Sequence, residues 1–436
     1  MVITDENNSA TQGTSSLEMV DSGTAGIRRK SGLFHNRAFA KLFGGSVSSS
    51  LGSSAGSLAI IWLVYAETGS AFDIALIGIF GFIPRITFGI IAGALADRYN
   101  RLRLMILADS IRALTLIIFA ASLIFTGFNL FSLLAAVFIL GIGQSLFRPA
   151  INSFLPVAVE KDQLANANGL FSIAQEVTSV IGSPLGGILI AVFGTGLTLT
   201  FNSAGYLISA MFIAMVAMSV PTRPKDQSTS AEKKKPFFGQ VKGGIAYIRG
   251  ERGLLKITLA AFGANFFLAM FFTFLVIYVN VILAQGALVF GLISASMAAG
   301  FGVGSLLVGR LHAYRSFGKW YTIPWGIAGL LIFGLVLIHS TIAAIGFLFT
   351  LTVFGGFGNN VFLTAVQKYV PNDMLARYLS LDEVGSFAAV PVGQIAGGIV
   401  ISFFGLNVDF TLAAIGTAVF TLGLLIFSDV RTLHVE

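Results

Sequence analysis

The sequence predicts an all-α membrane protein with twelve transmembrane helices in two pseudo-symmetric six-helix halves, and three observations lead to this fold class. Between Leu42 and Asp429, roughly twelve apolar stretches each approach the ~20 residues that a helix needs to cross ~30 Å of hydrocarbon. Only 11% of the residues are charged and 55% are hydrophobic, whereas about 25% of the residues in a soluble domain are charged. The third observation is an internal repeat that relates the two halves.

Basic residues are confined to every second connection between the apolar stretches. In chain order these connections carry Arg28, Arg29, Lys30 and Arg37, then Arg98, Arg101 and Arg103, Lys161, Arg223 to Arg252, Arg310, Arg315 and Lys319, and Lys368 and Arg377. The intervening connections carry Glu67, Asp73, His339 and Asp409 but no Lys or Arg. The positive-inside rule therefore places both termini in the cytoplasm, and we predict a multi-pass protein of the plasma (inner) membrane. No basic surface remains for nucleic acid, despite the formal net charge of +7.

Polar segments divide the chain into predicted regions. These are a disordered cytoplasmic N-terminal tail (1–38), an N-terminal half (39–220), a cytoplasmic linker with an amphipathic helix (221–252), a C-terminal half (253–430) and a cytoplasmic C-terminus (431–436). The tail is rich in Ser, Thr, Asn and Gly and lacks the apolar core of a signal peptide. Within the linker, Phe238, Val241, Ile245 and Ile248 recur at helical spacing.

The two halves share a repeated pattern. Gly141, Gly143 and Phe147 match Gly356, Gly358 and Phe362 at a shift of 215 residues, and after a four-residue shortening the shift becomes 211. At the second shift the Gly186-Gly187 pair matches Gly397-Gly398, and Phe193-Gly194 matches Phe404-Gly405. Repeats of this kind are typical of transporters that rock one half against the other around a midplane site.

Several kinds of chemistry are not predicted. The chain has no cysteine, which excludes disulfides, thiolate nucleophiles and thiolate metal sites. Its four histidines, His35, His312, His339 and His434, are far apart in sequence, so we predict no metal site. No Gly-x-x-x-x-Gly-Lys-Ser/Thr phosphate-binding sequence occurs. We therefore predict a chain that is not an enzyme, has no cofactor and works from a gradient.

Two other functions compete with transport. An intramembrane enzyme would use Asp382 and Glu383 as an acid pair, but adjacent helical positions point about 100° apart and no Ser/His partner accompanies them. A sensor would need a soluble output domain, which the sequence does not supply. Purified protein that moves no dye or antibiotic in response to a gradient would favour these alternatives.

Ionisable side chains within predicted membrane helices are candidates for proton coupling, because such groups cost several kcal/mol unless they are paired or hydrated. Coupling requires a carboxyl group that changes protonation as its exposure alternates. Glu176 is our first choice and Asp109 our second, followed by Asp382 and Glu383. Two alternatives stay open: Asp109 forms a static ion pair with Arg112, one turn away, and Glu176 simply neutralises Arg85.

A substrate cavity is predicted from polar and aromatic side chains on small-residue faces of the helices. Arg85, for example, belongs to the stripe Gly78, Gly81, Arg85, Gly89 and Gly93. The cavity candidates are Arg85, Gln144, Arg148, Asn265, Phe266, Asn359, Asn360 and Gln394. Aromatic walls with a few polar groups suit large amphipathic ligands.

The sequence from Gly93 to Arg103, Gly-Ala-Leu-Ala-Asp-Arg-Tyr-Asn-Arg-Leu-Arg, resembles the signature loop of the major facilitator superfamily. The resemblance implies the major facilitator fold. It assigns Gly93, Asp97, Arg98 and Arg101 to a gate that clamps the cytoplasmic side, and Asp382 and Glu383 alternatively serve that clamp. Asn100 replaces the family's second Gly, a mild departure because Asn tolerates the left-handed conformation that a tight turn can require. The competing interpretation is that this loop only anchors the topology.

Three further stretches resemble the macrolide-efflux and siderophore-export branch of that superfamily, whose members are drug:proton antiporters. They are Phe147-Arg148-Pro149-Ala150, the segment 163–169 (Gln-Leu-Ala-Asn-Ala-Asn-Gly) and the segment 182–187 (Gly-Ser-Pro-Leu-Gly-Gly). The resemblance implies a monomeric secondary transporter that exports hydrophobic or amphipathic small molecules against protons and contacts membrane lipids. Export of a siderophore or a lipid-like molecule, or uptake, is the alternative.

Overall fold

The computed structural model describes residues 33–160, 163–219, 252–308, 317–370, 378 and 388–427. All regular secondary structure in these residues is helical. The main helices are α1 (Arg37–Thr68), α2 (Ala71–Arg98), α3 (Arg101–Thr126), α4 (Leu130–Ala158), α5 (Leu164–Ser219), α6 (Arg252–Thr273), α7 (Ala287–Val308), α8 (Phe317–Leu335), α9 (Thr341–Tyr369), α10 (Ala389–Phe404) and α11 (Leu406–Leu422). Beyond α6 the chain continues through the short helix Leu275–Ile277 and the π-helical turn Tyr278–Ile282.

Nine helices in the described part of the chain are long and apolar enough to cross a membrane, and α10 is a shorter apolar helix. Three predicted features lie outside the described residues: the amphipathic helix of the linker, the C-terminus and the carboxyl groups of Asp382 and Glu383. Of the predicted N-terminal tail, residues 1–32 also lie outside, while α1 already begins at Arg37.

The helix α5 has 56 residues, nearly three times the ~20 that one crossing requires, because the chain turns back within it. Gly194, with φ 77° and ψ 173°, is not helical, and this left-handed φ is readily adopted only by glycine. Before the turn, Gly186 packs against Ala55 of α1, and after it, Gly205 packs against Ser48 of the same helix. Along the first segment, successive residues meet positions of α1 with increasing residue numbers. Along the second segment, successive residues meet positions of α1 with decreasing residue numbers. The two segments are therefore antiparallel.

Short polar connections cap the helices on either side. Between α1 and α2, Gly69 has φ 62°, and the Ser70 hydroxyl oxygen accepts a hydrogen bond from the Asp73 N–H (3.2 Å). Between α2 and α3, Asn100 is extended (φ −64°, ψ 119°) rather than left-handed. Its side-chain oxygen accepts hydrogen bonds from the N–H groups of Leu102 (3.0 Å) and Arg103 (3.2 Å). Asn100 is thus explained by N-capping of α3, for which Asn is well suited, and not by a left-handed turn.

The hydrophobic core differs between the two ends of the helices. The Ser70 end is where α1 meets α2, and the Asn100 end is where α2 meets α3. At the Ser70 end, one cluster of buried apolar side chains includes members of the N-terminal group of helices (α1–α5), such as Leu63, and of the C-terminal group (α6–α11), such as Phe290. At the Asn100 end, the described residues form separate clusters, one around Met105 and another around Ile257. The two groups are therefore joined at one end and apart at the other.

Glycines allow the two groups to approach closely at the Ser70 end. A Cβ atom on Gly187 of α5 would lie only 2.7 Å from the Ala287 carbonyl oxygen of α7. A Cβ atom on Gly398 of α10 would lie 3.2 Å from the Cα of Phe72 in α2. Glycine is required wherever two backbones come this near. These contacts join α5 to α7 and α10 to α2 across the boundary between the groups.

Candidate functional site

Polar side chains follow one face of α4 toward the Asn100 end. Gln144, Arg148 and Asn152 are spaced by four residues, and all three are exposed. Residues four apart lie on the same face of a helix, and an ionisable side chain that faces lipid is costly. This face of α4 therefore borders water rather than lipid.

A second polar face lies on the first segment of α5. Asn168, Ser172 and Glu176 are also spaced by four residues and are exposed. Further along this segment, Gly182 and Gly186 pack against α1. Both polar faces lie toward the end at which the two cores are separate. We identify these two polar faces, at the end where the hydrophobic clusters of the two groups are separate, as the candidate site.

Arg85 and Glu176 do not pair in this conformation. Both side chains are described and exposed, and the Arg85 guanidinium lies 5.9 Å from the ring centroid of Phe82. The alternative that Glu176 simply neutralises Arg85 therefore finds no support in this state. The role of Glu176 in proton coupling stays a prediction.

Asp109 and Arg112 form an ion pair within the N-terminal group. Asp109 is 0% exposed, Arg112 is 7% exposed, and an Nη2 hydrogen of the guanidinium is donated to Asp109 Oδ1. The guanidinium also lies 4.7 Å from the ring centroid of Phe147 in α4 and 4.4 Å from that of Tyr206 in α5. Gly143 of α4 leaves room for the arginine, since a Cβ atom there would lie 2.5 Å from its Cγ. This geometry favours the static-pair interpretation of Asp109.

We expect Arg112→Ala to destabilise the protein, because it leaves the Asp109 carboxylate buried without its counter-ion. Breaking a buried pair in this way costs about 3–5 kcal/mol. The measurement is the thermal unfolding midpoint in detergent, with Arg103→Ala as the control because Arg103 is exposed at the start of α3. An unchanged midpoint for Arg112→Ala would contradict a stabilising role for the pair.

Two of the predicted cavity residues use their amide groups in contacts between helices. The Gln394 side chain donates from Nε2 to the Thr273 hydroxyl oxygen (3.1 Å) and packs directly on Gly78 of α2. The Asn360 amide donates from Nδ2 to the Ser305 carbonyl oxygen (3.0 Å) and thus joins α9 to α7. Gln394 therefore lies at the contact between the two groups, whereas Asn360 links helices of one group.

The remaining cavity candidates lie on α6 and α9. Asn265 and Phe266 are half-buried on α6, and Asn359 is exposed on α9. The Phe266 backbone passes directly under Gly393 of α10. Further along the same helix, Phe271 is fully buried, with its ring centroid 5.0 Å from that of Phe410. Much of the aromatic surface of α6 thus packs between helices.

A cavity of about 520 Å³ lies within the C-terminal group, among α7, α8 and α9. Its lining includes Leu307, Lys319, Trp320, Ile323, Val353 and Phe357. None of the predicted cavity residues lines it. This cavity is therefore separate from the polar faces of α4 and α5.

The predicted gate lies where α2 ends. Gly93, Asp97 and Arg98 belong to the last turns of α2, and the structure describes their backbone but not their side chains. Arg101 is the first residue of α3 and is half-buried. The clamp assigned to these residues stays a prediction.

The sequence predicts that Asp409 lies in a loop outside the membrane, and this prediction is wrong. The residue lies in the first turn of α11 and is 0% exposed, and neither of its carboxylate oxygens has a hydrogen-bond partner. The loop is a single residue, Gly405, whose φ of 85° matches that of Gly194. The 211-residue shift aligns these two glycines in the sequence. This match is the signal that indicates a turn at Gly405 and a helix that already contains Asp409.

A model of the Major Facilitator Superfamily matches residues 42–381 of the chain. Macrolide efflux protein A of Streptococcus pyogenes is 24% identical over 408 residues, which cover 91% of this chain and 98% of that protein. The putative bacilysin exporter BacE of Bacillus amyloliquefaciens is 25% identical over 313 residues, covering 71% of this chain and 75% of the exporter.

Solved structures share the same fold. A bacterial homolog of the human lysosomal transporter Spinster, in an inward-facing and unoccupied conformation, matches with a TM-score of 0.68 at 15% identity. The match covers 92% of this chain and 96% of that chain. The nucleoside transporter NupG matches with a TM-score of 0.67 at 13% identity, covering 89% and 99% of the two chains.

Proposed function

We propose that this chain, which belongs to the Major Facilitator Superfamily and is a transporter rather than an enzyme, exports small molecules by antiport with protons. The proposed substrates are hydrophobic or amphipathic molecules of the drug or macrolide type. The names of its relatives support export, since a macrolide efflux protein and a putative bacilysin exporter are among them. The protein acts as a monomer in the plasma membrane.

The observation that carries this proposal is the uneven packing of the two groups of helices. One hydrophobic cluster bridges them at the Ser70 end, whereas separate clusters occur at the Asn100 end among the described residues. A site that is open to one side and closed to the other is what alternating access requires. The polar faces of α4 and α5 provide the groups that a substrate or a proton would meet there.

The proposed architecture is twelve membrane helices in two six-helix halves related by a pseudo-two-fold axis. The turn at Gly194 supports this count, because it divides α5 into two antiparallel segments. The contact of Gly187 with Ala287 also has a counterpart in that of Gly398 with Ala71. Symmetry of contacts is expected when one half repeats the other.

The Asn100 end is proposed to be cytoplasmic, so that this conformation faces inward and both termini are inside. The connections at that end carry the basic residues of the sequence, including Arg101 and Lys161, and those at the Ser70 end carry none. Basic loops remain in the cytoplasm during insertion.

Within this framework Glu176 takes up and releases the coupled proton, and the cluster of Asp97, Arg98 and Arg101 clamps the cytoplasmic side in the other conformation. Arg85, Gln144 and the further cavity candidates contact the substrate. The exposure of Glu176 in this conformation supports its role in proton coupling, because a coupling group must reach water in at least one state.

The test is transport into inverted membrane vesicles that contain the chain. When respiration acidifies the lumen, we expect a radiolabelled macrolide to accumulate inside, and an uncoupler to abolish the accumulation. Vesicles that carry an empty expression vector provide the control. Accumulation only in right-side-out vesicles would instead favour an uptake carrier, and movement of a fluorescent lipid or a siderophore alone would favour the second candidate function.

A further inference from the structure

Asp409 is a buried carboxyl group that the proposed mechanism does not use. Its side chain is 0% exposed, and both carboxylate oxygens lack a hydrogen-bond partner. An isolated carboxylate is so poorly solvated away from water that the group takes up a proton instead. In the conformation described here, burial without a partner therefore favours the neutral form of Asp409.

Two neighbouring helices cover this carboxyl group. A Cβ atom on Gly397 of α10 would lie 3.0 Å from Asp409 Oδ1. The same position faces the Phe274 ring and the Met270 Cα (3.2 Å), both contributed by α6 and its continuation. A side chain larger than glycine at 397 would meet the acid, the ring and the backbone together. Water therefore reaches Asp409 only when α10 moves away.

No charged side chain of the described residues faces Asp409. On α10 and α11 it is the only charged residue. The helix α8 also packs against α11. Its Lys319 is exposed near the Asn100 end, and His339, which follows α8, is exposed at the Ser70 end. On α6 and its continuation, the Lys256 ammonium lies near the Asn100 end, 4.4 Å from the ring centroid of Phe427, and the Tyr278 hydroxyl donates to the Ile338 carbonyl oxygen (2.6 Å). Asp73, in the first turn of α2, lies beyond α10 and is half-buried.

The helix that covers Asp409 also holds the two groups together. On the neighbouring face of α10, Gly398 meets Ala71 and Phe72 of α2, and Gln394 packs on Gly78 of α2. The helix α10 is thus the layer between the buried acid and the N-terminal group. A displacement of α10 that hydrates Asp409 also disturbs the contacts that close the Ser70 end.

We propose that Asp409 is a proton-binding site whose protonation holds the Ser70 end closed and whose ionisation favours its opening. A ligand that binds one conformation better shifts the population toward that conformation. Here the ligand is the proton, and the closed state binds it better because an ionised Asp409 has no partner there. The inference rests on the proposed alternation between two openings, and it does not depend on the identity of the substrate.

The repeat supplies a matched replacement for this acid. At the 211-residue shift, Asp409 corresponds to Thr198, which is also 0% exposed and one turn beyond its glycine. The Thr198 hydroxyl donates to the Gly194 carbonyl oxygen (3.0 Å) within its own segment. Asp409→Thr therefore introduces a side chain that an equivalent position already accommodates, and Asp409→Asn keeps the shape of the acid without its charge.

The experiment measures how the Ser70 end responds to pH. Because the chain has no cysteine, Glu67→Cys and Gln285→Cys provide a unique pair of spin labels, both at exposed positions and one in each group. Distances between the labels are measured in lipid nanodiscs without substrate from about pH 5 to about pH 9. We expect a single short distance at low pH and a growing population of longer distances at high pH.

The variants decide whether Asp409 causes that response. With Asp409→Asn or Asp409→Thr, we expect the short distance at every pH. Asp73→Asn is the control and should keep the wild-type response. A wild-type chain without any pH response, or Asp409 variants that keep it, overturns the proposal.

A measurement on the unaltered chain covers the case in which the variants do not fold. Infrared spectroscopy detects the C=O stretching band of a protonated carboxyl group in an apolar setting without any reagent having to reach it. We expect such a band at low pH that disappears over the same pH range in which the longer label distances appear, and a chain without this band at low pH contradicts the proposal. Glu176→Gln separates the two proposals. Loss of transport with an intact pH response of the spin labels shows that coupling through Glu176 and gating through Asp409 are separate. If the transport assay fails, the spin-label distances still test the role of Asp409.

Discussion

Gly187→Val is expected to reduce transport by roughly 5- to 150-fold. In the structure a Cβ atom at this position would lie 2.7 Å from the Ala287 carbonyl oxygen and 3.0 Å from the Leu288 Cα. Both are backbone atoms, so no side chain can turn aside to make room. Overpacking of this kind costs about 1–3 kcal/mol, which corresponds to that range of change in an equilibrium. The penalty falls only on the state in which the Ser70 end is closed.

The measurement combines the transport rate with the accessibility of a single cysteine near the Ser70 end, such as Gln285→Cys. We expect Gly187→Val to lower the rate and to raise labelling of that cysteine from the Ser70 side. Gly291→Val should behave in the same way, because a Cβ atom there would lie 2.6 Å from the Ser183 carbonyl oxygen of α5.

The control lies on the same helix as Gly291. Gly302 has no atom within 4 Å of the position that a Cβ atom would occupy, so Gly302→Val should leave both measurements close to wild type. Gly186→Val provides a second contrast, since its neighbour Ala55 belongs to the same group of helices. That variant should lower the thermal unfolding midpoint instead of shifting the balance between open and closed states. Wild-type transport by Gly187→Val would contradict the proposed closure.

The helices could be predicted because they depend on properties that the sequence displays directly. Apolar length determines whether a helix spans a bilayer, and the confinement of basic residues to alternate connections needs only counting. The repeat already paired Gly187 with Gly398, and both glycines occur where α5 and α10 meet the other group. A repeated glycine is informative because it marks a close approach of backbones.

The partners of the polar residues could not be predicted in the same way. Arg112 contacts Tyr206, which is far away in sequence and is brought near only by the turn at Gly194. The sequence pattern predicts Asp409 in a loop, but the loop is the single residue Gly405 and Asp409 lies in the first turn of α11. The prediction for Asn100 concerns its backbone conformation, whereas its side chain caps α3. These differences concern the ends of helices and the partners of side chains, which depend on how distant parts of the chain meet.

Glu176→Gln is expected to abolish gradient-driven transport while the protein still folds and binds substrate. Glutamine keeps the size and hydrogen-bonding capacity of the side chain but cannot take up a proton. Glu176 is exposed on the polar face of α5, at the end where the two cores are separate. In proteoliposomes with an imposed pH gradient, we expect accumulation of substrate to fall to the level seen without a gradient. Exchange of labelled for unlabelled substrate at equal pH should continue.

Glu67→Gln is the matched control for this prediction, because Glu67 is an exposed glutamate in the last turn of α1, at the Ser70 end. It should transport like the wild type. The double variant Arg85→Gln with Glu176→Gln tests the remaining alternative. If the only task of Glu176 were to neutralise Arg85 in another conformation, the double variant would recover gradient-driven transport. We expect no recovery, since removing the arginine does not restore a group that carries a proton. Near-normal accumulation by Glu176→Gln alone would remove this glutamate from the mechanism.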